Sequence, residues 1–293
     1  MKIGIFDSGI GGLTILREII KILPEYNYLY LADSKNLPYG EKSSEEIYEC
    51  VRRGLGWLFS KDVKLTIIAC NTASSEALRR IQREWLPKSE WSDRKALGVL
   101  IPLAEEVSER SKGFISAAAL SSIARVLWRK NTDQLAGRRF IGVIATTNTV
   151  KSGTYIKELQ KINPNAQIFQ VAAPLLAPLI EDNASEEKIK EALKMYLSPL
   201  KLANIQSLIL GCTHYPIFLS EIREIMGDKV FIPNPGEIVA KKLRAYLARH
   251  PEIEKELSKD GKQEFFTTGD PQQFQRLSLR FFGESLRAKG SSF

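Results

Sequence analysis

LTIIACNTAS (residues 65–74) and SLILGCTHYP (residues 207–216) share one plan: a short apolar run, a cysteine, then small hydroxyl, amide or imidazole residues. Four to six apolar residues bounded by turn formers read as a fully buried strand, the kind found in parallel sheets. The same plan without the cysteine recurs in KIGIF (2–6), which ends in Asp7-Ser8-Gly9, and in FIGVI (140–144), which ends in Ala145-Thr146-Thr147. YLYLA (28–32) and QIFQVAA (167–173) take corresponding third places, so the chain reads as a duplicated α/β lobe. Between the strands lie amphipathic patterns, LTILREIIKIL (13–23), SSEEIYECVRRGLGWLFS (43–60) and SSEALRRIQREWL (74–86), which makes a series of βαβ units. The expected fold class is α/β, with two pseudo-symmetric, doubly wound parallel-sheet domains. Ligands of such sheets sit at the carboxyl ends of the strands, where Asp7, Ser8, Cys70, Asn71, Thr146, Thr147, Cys212, Thr213 and His214 all fall.

Helix boundaries are marked by Ser43-Ser44-Glu45-Glu46, which fits a capping box, and by Ser185 before EEKIKEALKMYLSPL; Pro24, Pro87 and Pro164 punctuate the patterns. Residues 111–138 read as an insertion between VLIPLAEEVSER and RFIGVIAT, with Leu127 and Trp128 as packing groups. Composition sets outer bounds. At 293 residues, with 44% hydrophobic and 26% charged residues, the chain is long enough for two globular domains. The net charge of +8 is spread out, with no run of five or six basic residues, so no specific nucleic-acid partner is expected. MKIGIFDSG lacks the longer apolar region of a secretory signal, and no stretch approaches 18 apolar residues, so a cytoplasmic protein without a membrane anchor is expected. Three widely spaced cysteines, Cys50, Cys70 and Cys212, do not form a disulfide framework.

A cysteine acts as a base or nucleophile only as thiolate, so each reactive thiol needs a proton acceptor or a positive dipole nearby. For Cys212 the acceptor in reach is His214, an arrangement that suits proton transfer and equally a hydrolase nucleophile with its base. Asp7 can serve Cys70 from the neighbouring strand end, cap the helix of GLTILREII, or do both. DSGIGG (7–12) lacks the spacing of a P-loop or of a dinucleotide fingerprint, although its backbone N–H groups can hold a carboxylate. No cysteine and histidine set has zinc spacing, and no metal is expected.

These motifs together resemble the glutamate racemases, cofactor-independent members of the aspartate/glutamate racemase superfamily. The resemblance runs through FDSGIGGL (6–13), ADSKNLPYG (32–40), ACNTAS (69–74), VKSGTY (150–155), PLIE (178–181), LILGCTHYP (208–216) and FTTGD (266–270), nearly the whole chain apart from the insertion. It implies a first lobe of residues 1–97 plus 235–293, a second of 98–234, and an active site in the cleft between them. Cys70 and Cys212 are then the acid/base pair on opposite faces of the substrate α-carbon. Asp7 and His214 tune proton transfer and Glu181 orients the histidine. Ser8, Pro38, Tyr39, Gly40, Asn71, Thr72, Thr146, Thr147 and Thr213 hold the substrate. TTNT (146–149) departs from the family's usual Gly-Thr, and IPNPGE (232–237) departs at a point that concerns helix capping rather than chemistry. The resemblance further implies no cofactor, a homodimer, and conversion of L-glutamate to D-glutamate for peptidoglycan.

Overall fold

The computed structural model describes residues 1–110 and 139–293, so the expected insertion at 111–138 lies outside the described residues. Two all-parallel sheets organise the rest. The first contains β1 (Lys2–Asp7), β2 (Tyr28–Ala32), β3 (Val63–Ile68), β4 (Lys95–Gly98), β8 (Gln263–Thr267) and β9 (Lys289–Gly290), in the order β4-β3-β1-β2-β8-β9. The second contains β5 (Arg139–Ala145), β6 (Ala166–Ala172) and β7 (Ser207–Gly211), in the order β6-β5-β7. The duplication read from the sequence is therefore topological: β3-β1-β2 and β7-β5-β6 are the same arrangement of strands.

The central strands are buried along their length, as expected when helices cover both faces of a parallel sheet. One face of the first sheet carries the helices Leu13–Ile22, Pro235–Arg249 and Pro271–Phe282, and the other carries Ser44–Ser60. The helix Ser44–Ser60 opens with the expected capping box, Ser43 and Glu46 exchanging hydrogen bonds with each other's backbone N–H groups. IPNPGE is also capped, because Asn234 Oδ1 accepts from Gly236 N at the start of Pro235–Arg249. In the second lobe, Leu100–Arg110 and Thr154–Ile162 cover one face and Glu186–Leu202 the other. One apolar core, containing Ile5, Leu16, Ile144, Leu197 and Phe281, runs without a break through both lobes.

Two local readings differ from the structure. The pattern at 74–86 is not one helix: Asn71–Glu76 breaks at Ala77, resumes at Leu78–Arg80, and widens to a π turn at Ile81–Trp85. The wider turn presents Trp85 to Phe59, with ring centroids 6.3 Å apart and planes 15° from parallel. FTTGD is more than a motif, because its first residues close β8, which pairs with β2 in the register Tyr30↔Phe265 and Ala32↔Thr267.

The helix Ser44–Ser60 approaches β1 closely at Gly54, where an added Cβ would lie 2.3 Å from Phe6 Cε2. Gly54→Val should therefore cost about 2–3 kcal/mol of stability through overpacking, measured by chemical denaturation. An unchanged midpoint would show that the helix can shift away from the sheet.

Candidate active site

The carboxyl ends of the two sheets face each other across a cavity of about 270 Å³. Every expected site residue except Asp7 lines it: Ser8, Pro38, Tyr39, Gly40, Cys70, Asn71, Thr72, Thr146, Thr147, Glu181, Cys212, Thr213 and His214. Asp7 lies directly behind the lining, with no solvent exposure. All three cysteines are free thiols, and Cys50 is buried in the helix Ser44–Ser60, away from this lining.

The two thiols occupy equivalent strand ends in unlike surroundings. Cys70 follows β3 and caps the helix Asn71–Glu76, its Sγ accepting from Ala73 N at 3.4 Å and from Ser8 Oγ at 3.3 Å. Burial and then the negative charge of Asp7 push the Cys70 thiol up to about 12, against the pull of those two donors. Cys212 follows β7, with Sγ 3.6 Å from His214 Nδ1. The far nitrogen of that ring, Nε2, lies 2.6 Å from Glu181 Oε1. Burial alone would favour neutral imidazole, but the hydrogen bonds to Cys212 and Glu181 outweigh it and hold the His214 pKa well above the ordinary value.

Asp7 explains the glycine-rich turn. Its Oδ2 accepts from Gly12 N at 3.0 Å and Gly9 N at 3.3 Å, so the N–H groups that could have held a ligand's carboxylate hold the protein's own. Burial raises Asp7 to about 6, with the charge of His214 and the two N–H groups limiting the rise. Its Oδ1 has no hydrogen-bond partner among the described residues. The turn also packs against the other lobe: a Cβ at Gly11 would lie 2.4 Å from Thr213 Oγ1 and 2.7 Å from His214 Nδ1. Thr14 Oγ1 shares its proton between the Gly11 carbonyl at 2.8 Å and the Thr213 carbonyl at 3.1 Å, linking the Cys212-Thr213-His214 segment to the first lobe.

Several residues that the sequence reading passed over complete the site. Tyr155 donates its hydroxyl to Asn71 Oδ1 at 2.7 Å, which leaves the Asn71 NH₂ as the free end of that amide. Thr149 forms a triangle of hydroxyls with Thr72 and Thr146, at 3.2 Å and 3.0 Å, closed by Thr72 to Thr146 at 2.9 Å. The signal for Thr149 was present, since Thr146 caps the following short helix and Thr149 is the residue whose N–H such a cap engages. Of the adjacent pair, Thr146 belongs to this network, whereas Thr147 lines the cavity beside it. Asp33 accepts from the Tyr39 hydroxyl at 2.6 Å and from Thr268 Oγ1 at 2.9 Å, tying the loop after β2 to the end of β8. Phe281 lies edge-on to the His214 ring, 5.2 Å between centroids, and Arg280 donates to the Ile180 carbonyl, next to Glu181. No such role can be read from an amphipathic helix pattern alone.

No family model matches the chain. It is 35% identical over 283 residues to the glutamate racemase of Lactobacillus helveticus, an alignment covering 97% of this chain and 94% of the relative. It is 36% identical over 285 residues to that of a Thermoanaerobacter species, covering 97% and 94%. Among solved structures, the glutamate racemase of Bacillus anthracis superposes with a TM-score of 0.80 at 30% identity, and that of Francisella tularensis in complex with D-glutamate with 0.79 at 29%, each covering 99% of this chain and 97% of the other. An aspartate racemase from Picrophilus torridus, 17% identical with a TM-score of 0.54 over 85% of this chain, shares the fold. With nearly full-length identity of this order and the same architecture, the chain belongs to the glutamate racemase family.

Proposed function

We propose that this chain interconverts L- and D-glutamate by two-base proton transfer between Cys70 and Cys212, without a cofactor. The observation that carries the reading is the placement of both thiols on one small cavity, at equivalent ends of two sheets with the same strand order. A volume of about 270 Å³ suits an amino acid better than a larger ligand. The D-glutamate complex of the Francisella relative supports the choice of substrate.

In one direction the Cys212 thiolate removes the α-proton and the Cys70 thiol delivers another to the opposite face; in the other direction the roles exchange. A near-attack distance of about 3–3.5 Å from each sulfur to the α-carbon places the sulfurs roughly 6–7 Å apart. The carbanion between them has no electron sink. Donors on the lining offset its charge: the Asn71 NH₂ and the Thr213 hydroxyl, joined by the hydroxyls of Ser8, Thr72 and Thr146 when these turn from Cys70 and from one another, with Thr147 at the cavity edge and the Pro38-Tyr39-Gly40 wall excluding water. After each turnover the sulfurs have exchanged protons. His214, backed by Glu181, and Asp7 are the groups that reset them. The same reading divides the chain into lobes of 1–97 plus 235–293 and 98–234, a division supported by the strands of each sheet except that Gly98, the last residue of β4, belongs with the first. A cytoplasmic homodimer supplying D-glutamate to peptidoglycan is part of the proposal and rests on the family resemblance.

Cys70→Ser and Cys212→Ser should each lower racemisation by about 10²–10⁴-fold. Solvent deuterium uptake at the α-carbon of each enantiomer, followed by NMR, should show exchange in both for the native enzyme and at most in one for either variant. Full activity in either variant ends the two-base reading, and a preference for aspartate in a circular-dichroism assay ends the substrate assignment.

The state of Asp7 gives a pH test. With its carboxyl raised to about 6, the anion needed for proton return is lost as pH falls through that value, so kcat/KM should decline on the acid side with a midpoint near 6. Asp7→Asn should remove that limb. It also removes the anion that disfavours the Cys70 thiolate, so the thiol pKa falls and alkylation of Cys70 by iodoacetamide at pH 8 speeds up. An alkylation rate equal to that of the native protein would show that Asp7 does not act on Cys70.

A further inference from the structure

Asn148, in the TTNT sequence, has no part in the proton-transfer scheme, yet both N–H donors of its side chain are committed. The amide donates one N–H to the Tyr39 carbonyl at 3.0 Å and the other to the Lys42 carbonyl at 2.7 Å. Both bonds cross the cleft, because Asn148 follows β5 in the second lobe whereas Tyr39 and Lys42 follow β2 in the first. The loop they hold forms one wall of the cavity, through Leu37, Pro38, Tyr39, Gly40 and Glu41.

The root and the tip of this loop are secured differently. Its root is tied within the first lobe by Asp33, which accepts from the Tyr39 hydroxyl, from Asn36 Nδ2 and from Thr268 Oγ1. Its tip is tied across the cleft by the two bonds from Asn148. Cys70 and Cys212 are each only 6% exposed and share the cavity with this loop, so the position of the loop governs how freely a molecule reaches the sulfurs. Releasing one amide frees the backbone of Tyr39 and Lys42 from the second lobe, while the Tyr39 hydroxyl stays bonded to Asp33.

We propose that Asn148 is a positioning residue that latches the loop 37–42 over the cavity, releasing it to let glutamate in or out and rebonding to enclose it. The naming of glutamate rests on the proposed function; the latch itself is testable through thiol access alone. Asn148→Ala removes the amide without adding charge, and Asn148→Asp keeps its shape but has no N–H to donate at neutral pH. In both, iodoacetamide alkylation of Cys70 and Cys212 in the ligand-free protein, mapped by peptide mass spectrometry, should speed up about tenfold, as expected for losing two ordinary hydrogen bonds. In Asn148→Ala the pH dependence of alkylation should not move, which separates access from thiol acidity. The KM for D-glutamate should rise about tenfold while kcat stays within about threefold of the native value. Native alkylation rates in both variants would overturn the latch, as would a fall in kcat with KM unchanged. Faster alkylation in the variants of a protein that does not racemise glutamate would keep the latch and refute the substrate.

Discussion

A carboxylate with no access to water sits where the two sheets meet, and much of the site is arranged around it. Burying an unpaired carboxylate is costly, and the Asp7 side chain is accommodated only because the turn after β1 aims two backbone N–H groups at one of its oxygens. That turn has to be glycine-rich, since a Cβ at Gly12 would lie 2.8 Å from Asp7 Cβ and one at Gly11 would strike Thr213. The accommodation is partial. A folded-state pKa of about 6 against an ordinary 3.8 means that the folded protein holds this proton more tightly than the unfolded chain. Stability from this group is therefore present at low pH and lost as pH rises from about 4 to about 6, by roughly 3 kcal/mol. The sign is opposite to that of a salt-bridged surface carboxylate. A group retained at that cost is characteristic of a functional site.

The unlike surroundings of the two thiols carry a constraint of their own. Free L- and D-glutamate have equal free energies, so kcat/KM is the same in both directions for any racemase acting on them. Asymmetry between Cys70, flanked by Ser8, Ala73 N–H and Asp7, and Cys212, flanked by His214 and Glu181, can therefore appear only in kcat and KM separately. The shared strand order puts the sulfurs at equivalent positions, and the loops after the strands give each different hydrogen-bonding neighbours.

How much of this could be read from the sequence depends on the range of the interactions involved. Buried parallel strands are continuous apolar runs, so KIGIF, YLYLA, LTIIA, FIGVI and SLILG could be placed, and Ser8, Cys70, Asn71, Thr146, Thr147, Cys212, Thr213 and His214, which follow four of them, line one cavity. β4 is only KALG, and β8 becomes a strand by pairing with β2 from more than 200 residues away, a contact with no local signature. The π turn at Ile81–Trp85 brings Trp85 against Phe59, a tertiary contact that the amphipathic pattern does not register. Glu181 was reached through family resemblance alone. Asp33, Thr149, Tyr155, Phe281 and Asn148 act by touching other site residues rather than by carrying a recognisable reactive group, and pattern reading does not register that.

The distribution of bonds across the cleft also bears on how it opens. Swinging the lobes apart would break the hydroxyl triangle of Thr72, Thr146 and Thr149, the Tyr155 to Asn71 bond, the Arg79–Glu158 ion pair and the Thr14 to Thr213 bond. It would also divide an apolar core shared by both lobes and draw Phe281, on a helix that packs with the first sheet, away from His214. Shifting the backbone of the loop 37–42 while the Tyr39 ring stays bonded to Asp33 breaks two bonds from one side chain and leaves the shared core, the triangle and the His214–Glu181 pair undisturbed. Packed interfaces of this kind resist small continuous deformation, so the local motion costs far less than the global one. Under the proposed mechanism, access by the loop therefore lets the groups around the α-carbon remain fixed while substrate and product exchange.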